Sequence, residues 1–197
     1  MESSCRTNRE RIRIMKQNTA MEHLNKAFEL LEKYPQGLDC VGDIPEELIL
    51  KAENVLNLKF PPTYRQFLKK YGYCGFFGAE IYGIAKDAIS HGGQFEPSHG
   101  PDGIGETLGE REQFQLPEKY IIVGAPGYGP LDAIDTSKPD EHGECPVVMV
   151  AINDEDPVTK EKEWYEMEQL APDFGTYLYN ESKKTLKDAI DSGEVEA

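Results

Sequence analysis

Carboxylates, glycines, histidines and thiols are the residues of this chain that could do chemistry, and their spacing decides which chemistry is open to them. Asp132 and Asp135 close the run "LDAID", with Thr136 behind them. An aspartate nucleophile for phosphoryl transfer needs a second acid held beside it and a lysine to balance the charge. Here the aspartates stand three apart rather than two and no downstream basic partner is evident, so they read as turn-forming, solvent-facing acids. "GPDGIGETLG" has the glycines that let backbone amides approach a phosphate, but it lacks both G-K-[ST] and the G-x-G-x-x-G spacing, and reads as a flexible loop. "HGECP" pairs His142 with Cys145 at a spacing zinc sites use, without the second close pair such a site needs. "NDEDP" has no central glycine and no distal bidentate glutamate, so it is not a calcium loop. Of the four histidines, His23 falls on the polar side of a helix, His91 and His99 in a loop and His142 in a turn, and no Ser or Cys sits in a nucleophile elbow. No catalytic residue, metal or cofactor is expected, and the chain reads as a non-enzyme.

The chemistry therefore has to be sought in surfaces, and charge is the strongest signal. The 197 residues carry a net charge of −15, distributed unevenly: residues 1–16 hold five basic and two acidic groups, residues 136–197 six and sixteen. Such a field repels nucleic-acid phosphates and anionic head groups while speeding encounter with a basic partner. Direct nucleic-acid and membrane binding are thus disfavoured. No apolar run reaches the roughly eighteen residues of a membrane span, and "MESSCRTNRERIRIMKQ" has no apolar signal core, which predicts a cytoplasmic protein. Cys5, Cys40, Cys74 and Cys145 form no CxxC pair and read as reduced thiols.

Length and composition predict one domain over 19–191, with a basic, disordered tail at 1–18 and a frayed end at 192–197. "MEHLNKAFELLEKY" spaces Met21, Leu24, Phe28 and Leu31 as a helix. "DIPEELILKAENVLNL" predicts a second, capped by Asp43 through a box closed by Glu46, with Leu48, Ile49, Ala52, Val55 and Leu56 buried. "PPTYRQFLKKYGYCGFFG" supplies a third through Tyr64, Phe67, Leu68 and Tyr71, ended by Gly72, then a glycine-punctuated corner and the short strand "AEIYGIA". Residues 86–110 read as a long connecting loop. A hairpin follows over "EKYIIVGAPGYGPLDAIDTS", then the strand "CPVVMVAI", an extended segment with Trp164 and Tyr165, and a helix capped by Asp173 with Phe174, Tyr177, Leu178, Leu186 and Ile190 inward. Helices first, strands next and a helix last predict an α+β fold on a largely antiparallel sheet.

The run "IPEELILKAENVLNLKFPPTYRQFLKKYGYCGFFGAEIYGI" resembles the signature of the SUKH superfamily, the Smi/Knr cell-wall regulators of yeast and their bacterial relatives. The matching positions are Glu53, Leu56, Pro61 or Pro62, Tyr64, Phe67, Leu68, Gly72, Gly75, Gly78 and Gly83, and the later segments are similar to a Bacillus-type antitoxin subgroup. The resemblance implies an immunity protein that binds and blocks the toxin domain of a cognate secreted toxin, of which nucleases with a basic surface are a frequent kind. It also leaves open an intracellular scaffold or regulator with no toxin partner. An enzyme acting at the 86–110 loop is a third class. On the toxin-binding reading, Tyr73, Phe76 and Phe77 would be aromatic anchors, with Glu80, Asp132 and Asp135 supplying charge; the competing reading of Phe76 and Phe77 is that they roof the core.

Overall fold

A computed structural model describes residues 19–90, 94–98, 100–127, 129–153 and 163–195; the basic segment 1–18 lies outside them. Helix α1 spans 19–33, with Leu24, Phe28 and Leu31 buried and Met21 packed against them. A 3-10 turn, Pro35–Gly37, leads into β1 (Leu38–Cys40), a three-residue strand too short to show alternation in the sequence.

Helix α2 (Glu46–Leu56) lacks the expected capping box: Pro45 occupies the N-cap position and no side chain accepts a bond there. Ile44 is buried and its N–H donates to the Lys69 carbonyl at 3.2 Å, which draws the entering chain alongside the next helix and leaves Asp43 exposed. Glu46 pairs outward with Arg65, and with Lys69 at 2.7 Å. Val55, expected inside, is 44% exposed, and Glu53 takes a place on the buried face. Helix α3 (Pro62–Tyr71) follows its periodicity: Tyr64, Phe67, Leu68 and Tyr71 are all buried, and Gly72 ends it at φ +67° with its N–H on the Leu68 carbonyl.

The glycine-rich corner is a hairpin. β2 (Cys74–Phe76) pairs antiparallel with β1 on one side and with β3 (Ala79–Ile81) on the other. Phe77 and Gly78 form its two-residue turn with φ of +44° and +87°, the sign pattern of a type I′ turn. A phenylalanine at positive φ is uncommon. It is held by packing: its N–H donates to the Gly37 carbonyl at 3.0 Å, and a Cβ on Gly37 would lie 2.3 Å from the ring.

The largest departure from expectation is residues 86–110, which are not one long loop. They contain α4 (Lys86–Ser90) and most of the first three turns of α5 (Gly103–Phe114). Asp102 caps α5 by accepting from Ile104 N–H at 3.2 Å. The glycines that suggested flexibility permit close packing: a Cβ on Gly103 would sit 2.7 Å from the Ile122 carbonyl, and one on Gly105 2.0 Å from Ser98 Oγ. Thr107 then bridges the layers, donating to the Gly103 carbonyl at 2.6 Å and accepting from Ile122 N–H at 2.9 Å.

The expected hairpin is β4 (Tyr120–Gly124) and β5 (Leu131–Asp135), continued antiparallel by β6 (Val147–Asn153) and β7 (Glu163–Ala171) in the order β4-β5-β6-β7. Ile121, Val123, Ile134 and Val147 face the main core beneath the helices; Ile122, Leu131, Ala133, Val148 and Val150 face a smaller cluster closed by Tyr82, Leu116 and Trp164. Tyr82 N–H donates to the Val123 carbonyl at 2.8 Å and joins the two sheets. Helix α6 (Phe174–Asp191) is capped by Asp173, which accepts from Thr176 N–H at 2.7 Å. The following residues, expected to fray, turn back onto the helix through Glu194 and Val195 N–H bonds to the Ala189 carbonyl, and Val195 is buried; 196–197 lie outside the described residues. The result is an α+β fold with N- and C-terminal helices packed against antiparallel sheet.

Candidate functional site

Five of the six residues singled out in the sequence meet around two adjoining grooves. One, of about 590 Å³, runs between β3, the Gly124–Pro126 end of β4 and α6; the other, of about 410 Å³, runs along β1 and the β2–β3 hairpin. They share the Phe77–Glu80 turn and Glu194. Tyr73 and Phe76 line the second and Asp132 the first. Phe77 is half-buried on the shared rim, whereas the Phe76 ring is buried and stacks edge-on against it at 4.8 Å between centroids. The core-roofing role thus holds for the ring of Phe76. Tyr73 Oη donates to Glu80 Oε1 at 2.9 Å, fixing an aromatic and an acid together on the exposed face.

The reading of the two aspartates as solvent-facing is overturned. Asp135 has no exposed surface and lies away from both grooves. It accepts from Ser137 N–H at 3.1 Å and Ser137 Oγ at 2.6 Å, and meets Lys138 and Lys119 at 3.1 and 3.2 Å. Burial works against its charge, but the Ser137 bonds and the two ammonium groups outweigh burial and hold the carboxyl below the usual range. Asp132 is the opposite case. Tyr177 Oη donates to its Oδ2 at 2.7 Å, Oδ1 has no hydrogen-bond partner among the described residues, and burial pushes its pKa up. Neutralisation should separate the two. Asp135→Asn is expected to cost about 2–3 kcal/mol by stranding two lysines and a hydroxyl network. Asp132→Asn is expected to stay within about 1 kcal/mol of the parent or exceed it, because the charge it removes is the disfavoured form. Urea denaturation of both variants at neutral pH checks the contrast.

The larger groove's remaining charged residues come from α6 and the turn after it, and the smaller groove adds Asp39 of β1; none of these was singled out in the sequence. Tyr177, Glu181, Lys184 and Asp188 recur at helical spacing on one face, with Glu194 beyond the helix end. That acidic stripe was the available signal; the apolar stripe beside it took precedence. Of the six charged groups that line the larger groove among the described residues, Lys184 alone is cationic, and it sits 3.7 Å from Glu181. Among the described residues, neither groove is lined by a histidine or a cysteine. Their chemistry is that of a cation acceptor with an aromatic rim, and no nucleophile stands beside a base in either.

Other polar groups that looked notable are structural. Glu53 is buried between α2 and α3, accepting from Phe60 N–H at 2.9 Å and meeting Arg65 at 2.6 Å and Lys59 at 3.2 Å. Glu144 reaches across to α3, accepting from Thr63 N–H at 3.0 Å and Thr63 Oγ1 at 2.6 Å, and so caps that helix from 81 residues away. His23 Nδ1 lies 2.9 Å from Thr176 Oγ1, which ties α1 to α6. Among the described residues no group of three or more His, Cys, Asp or Glu could hold a metal ion, and no helix is long and apolar enough to cross a membrane.

No curated protein matches the chain. A family model, that of the SMI1-KNR4 cell-wall family, matches residues 46–178, from the first turn of α2 into α6, and so takes in the Glu53 clamp, strands β2 to β7 and Asp132, while β1 and the groove acids from Glu181 onward lie outside it. Matched over more than half its length, the chain belongs to the SMI1-KNR4 cell-wall (SUKH) family.

Proposed function

We propose that this chain is an immunity protein, which seats a basic segment of a cognate toxin domain in the two adjoining grooves and blocks it stoichiometrically. The observation that carries the reading is the lining of the larger groove: Glu80, Asp132, Glu181, Asp188 and Glu194 against a single lysine already beside Glu181. Family membership supports it, because SUKH proteins include toxin-neutralising members. So does the chain's net charge of −15, which speeds capture of a cationic mate. In this scheme Tyr73 and Phe77 pack against the partner's apolar atoms at the rim. Exposed Glu80, Asp188 and Glu194 steer the encounter. Asp132, deeper in the groove, meets the cation that comes furthest in. Asp135 contributes by holding the loop after β5 rather than by contact.

The test is co-expression with the toxin domain encoded beside this gene, scored by survival and co-purification. The triple variant Glu80→Lys, Asp188→Lys, Glu194→Lys is expected to weaken binding at least about 30-fold in about 0.1 M salt, equivalent to roughly 2 kcal/mol. Its melting temperature should match the parent's, since all three side chains are exposed. Equal affinity of parent and triple variant at every salt concentration would remove the grooves from the interface. A gene with no toxin reading frame beside it would favour an intracellular regulator instead.

A further inference from the structure

Cys40 and Cys74 face each other across β1 and β2 and point to a property unrelated to the grooves' charge. The register pairs Leu38 with Phe76, Asp39 with Gly75 and Cys40 with Cys74. Outside these, Val41 N–H donates to the Tyr73 carbonyl at 3.3 Å and Phe77 N–H to the Gly37 carbonyl at 3.0 Å. Antiparallel pairs alternate between hydrogen-bonded and non-hydrogen-bonded, so with 41:73 and 37:77 hydrogen-bonded, 39:75 is too, and 40:74 is a non-hydrogen-bonded pair. That is the pair class whose Cα atoms come closest, about 4.5 Å apart, with both side chains on one side of the sheet. A disulfide spans Cα separations of roughly 4.4–6.8 Å. The Cys40 thiol is the foremost influence raising the Cys74 pKa, ahead of burial, and Cys74 Sγ donates to the Gly75 carbonyl at 3.6 Å.

We propose that Cys40 and Cys74 form a site of reversible oxidation, closing a cross-strand disulfide when the protein meets a peroxide and reopening with a dithiol reductant. Accessibility sets the order of steps. Cys40 is half-buried on the edge strand of its sheet, while Cys74 is fully buried on the central one. The Cys40 thiolate attacks a peroxide oxygen; the S–O bond forms, the O–O bond breaks, and the departing hydroxide takes up the proton Cys40 had released. Cys74 sulfur then attacks Cys40 sulfur; the S–S bond forms, the S–O bond breaks, and the Cys74 proton leaves with the hydroxyl as water. Two thiols lose two electrons and one peroxide becomes two waters. Among the described residues β1 pairs with β2 alone, and Gly42 just beyond it, at φ +96°, gives the edge freedom to adjust. Cys145 has no cross-strand thiol among the described residues: it is buried on β6's approach, its thiol bonds to the Gly143 carbonyl, and burial pushes its pKa up to about 12. The closed bond would encircle α2 and α3, and by restricting the unfolded chain should raise the melting temperature by roughly 5–15 °C.

The experiment uses the full chain carrying Cys5→Ser and Cys145→Ser, which leaves this pair alone. After treatment with one equivalent of hydrogen peroxide, free thiols are blocked by alkylation and the protein is digested for mass spectrometry. Expected are a linked Cys40–Cys74 peptide, loss of both free thiols, the stated rise in melting temperature, and reversal of all three by dithiothreitol. Recovery of both cysteines alkylated, or of Cys40 as sulfinic acid with Cys74 free, would overturn the proposal. Cys40→Ser should show no peroxide-dependent change in melting temperature; if that variant does not fold, the comparison of oxidised and reduced chain decides alone. The result is independent of toxin binding, so neither outcome bears on the function proposed above.

Discussion

Arg65→Ala lowers the unfolding free energy by about 3–5 kcal/mol, the expected cost of breaking a buried ion pair by removing one partner. The reason lies in Glu53, which is only 2% exposed on the inner side of α2. Burial opposes its charge, yet the Phe60 N–H bond, Arg65 and Lys59 together hold its pKa below the usual carboxylate range. Lys59 is largely exposed, so Arg65, at 2.6 Å, is the partner that goes inside with the carboxylate. Without it a charge is left underground with one backbone bond and a solvated ammonium. Adding Glu53→Gln to Arg65→Ala should restore part of the loss, because the amide still accepts from Phe60 without a charge to bury. The sign with pH follows from the depressed pKa: the clamp's contribution is present above the ordinary value of 4.5 and is lost as pH falls through the folded-state value. Urea midpoints for the two single variants and the double variant measure the coupling. A cost below about 1 kcal/mol for Arg65→Ala would show that Glu53 does not depend on it.

Glu144 runs the other way. Burial raises its pKa from 4.5 to about 7, against the lowering effect of the two Thr63 bonds, and Asp173 and Asp140 add repulsion. A carboxyl that binds its proton more tightly when folded stabilises the protein fully below its unfolded pKa and loses that contribution as pH rises through the folded one. The window is thus about pH 4.5 to 7, and the loss across it is about 3 kcal/mol. Glu144→Gln keeps an acceptor for Thr63 N–H and removes the titration. Its stability should therefore rise relative to the parent's by about that amount between pH 5 and pH 8.5, while at pH 5 the two stay close. Thermal melts of both proteins across this range are the measurement, and parallel pH profiles would exclude the assignment.

Both predictions concern carboxylates whose positions were visible in the sequence and whose environments were not. Glu53 lies within the family match, as does Glu46, and nothing local distinguishes it from Glu46 seven residues earlier, which stays on the surface. Their fates diverge because the chain after α2 folds back, bringing the Phe60 N–H and one end of the Arg65 guanidinium over Glu53 on the inner side, while Glu46 meets the other end of that guanidinium at the exposed helix start. The same holds for Asp132 and Asp135. Three residues apart in one strand, they are separated by their partners: Tyr177, 45 residues on, for the first, and for the second the nearby Ser137 and Lys138 together with Lys119 on the approach to β4.

Where periodicity is strong and burial one-sided, local sequence suffices. The Tyr64, Phe67, Leu68 and Tyr71 stripe specifies α3, the hairpin of β4 and β5 shows in its apolar runs and turn, and Asp173 marks the start of α6, since side-chain direction repeats with backbone geometry. The family resemblance and the acidic character were legible too. Tertiary structure alone decided that the glycines of "GIGETLG" are helix positions pressed against β4 and Ser98 rather than loop hinges, because a glycine announces freedom but not what occupies the space beside it. It alone brought the hairpin turn, the β4 end and the α6 acids together into grooves, and set two thiols 34 residues apart in one cross-strand pair. Helical and strand periods are short-range properties of the chain; the ionisation of a carboxylate and the reach of a thiol depend on whatever distant segments pack around them.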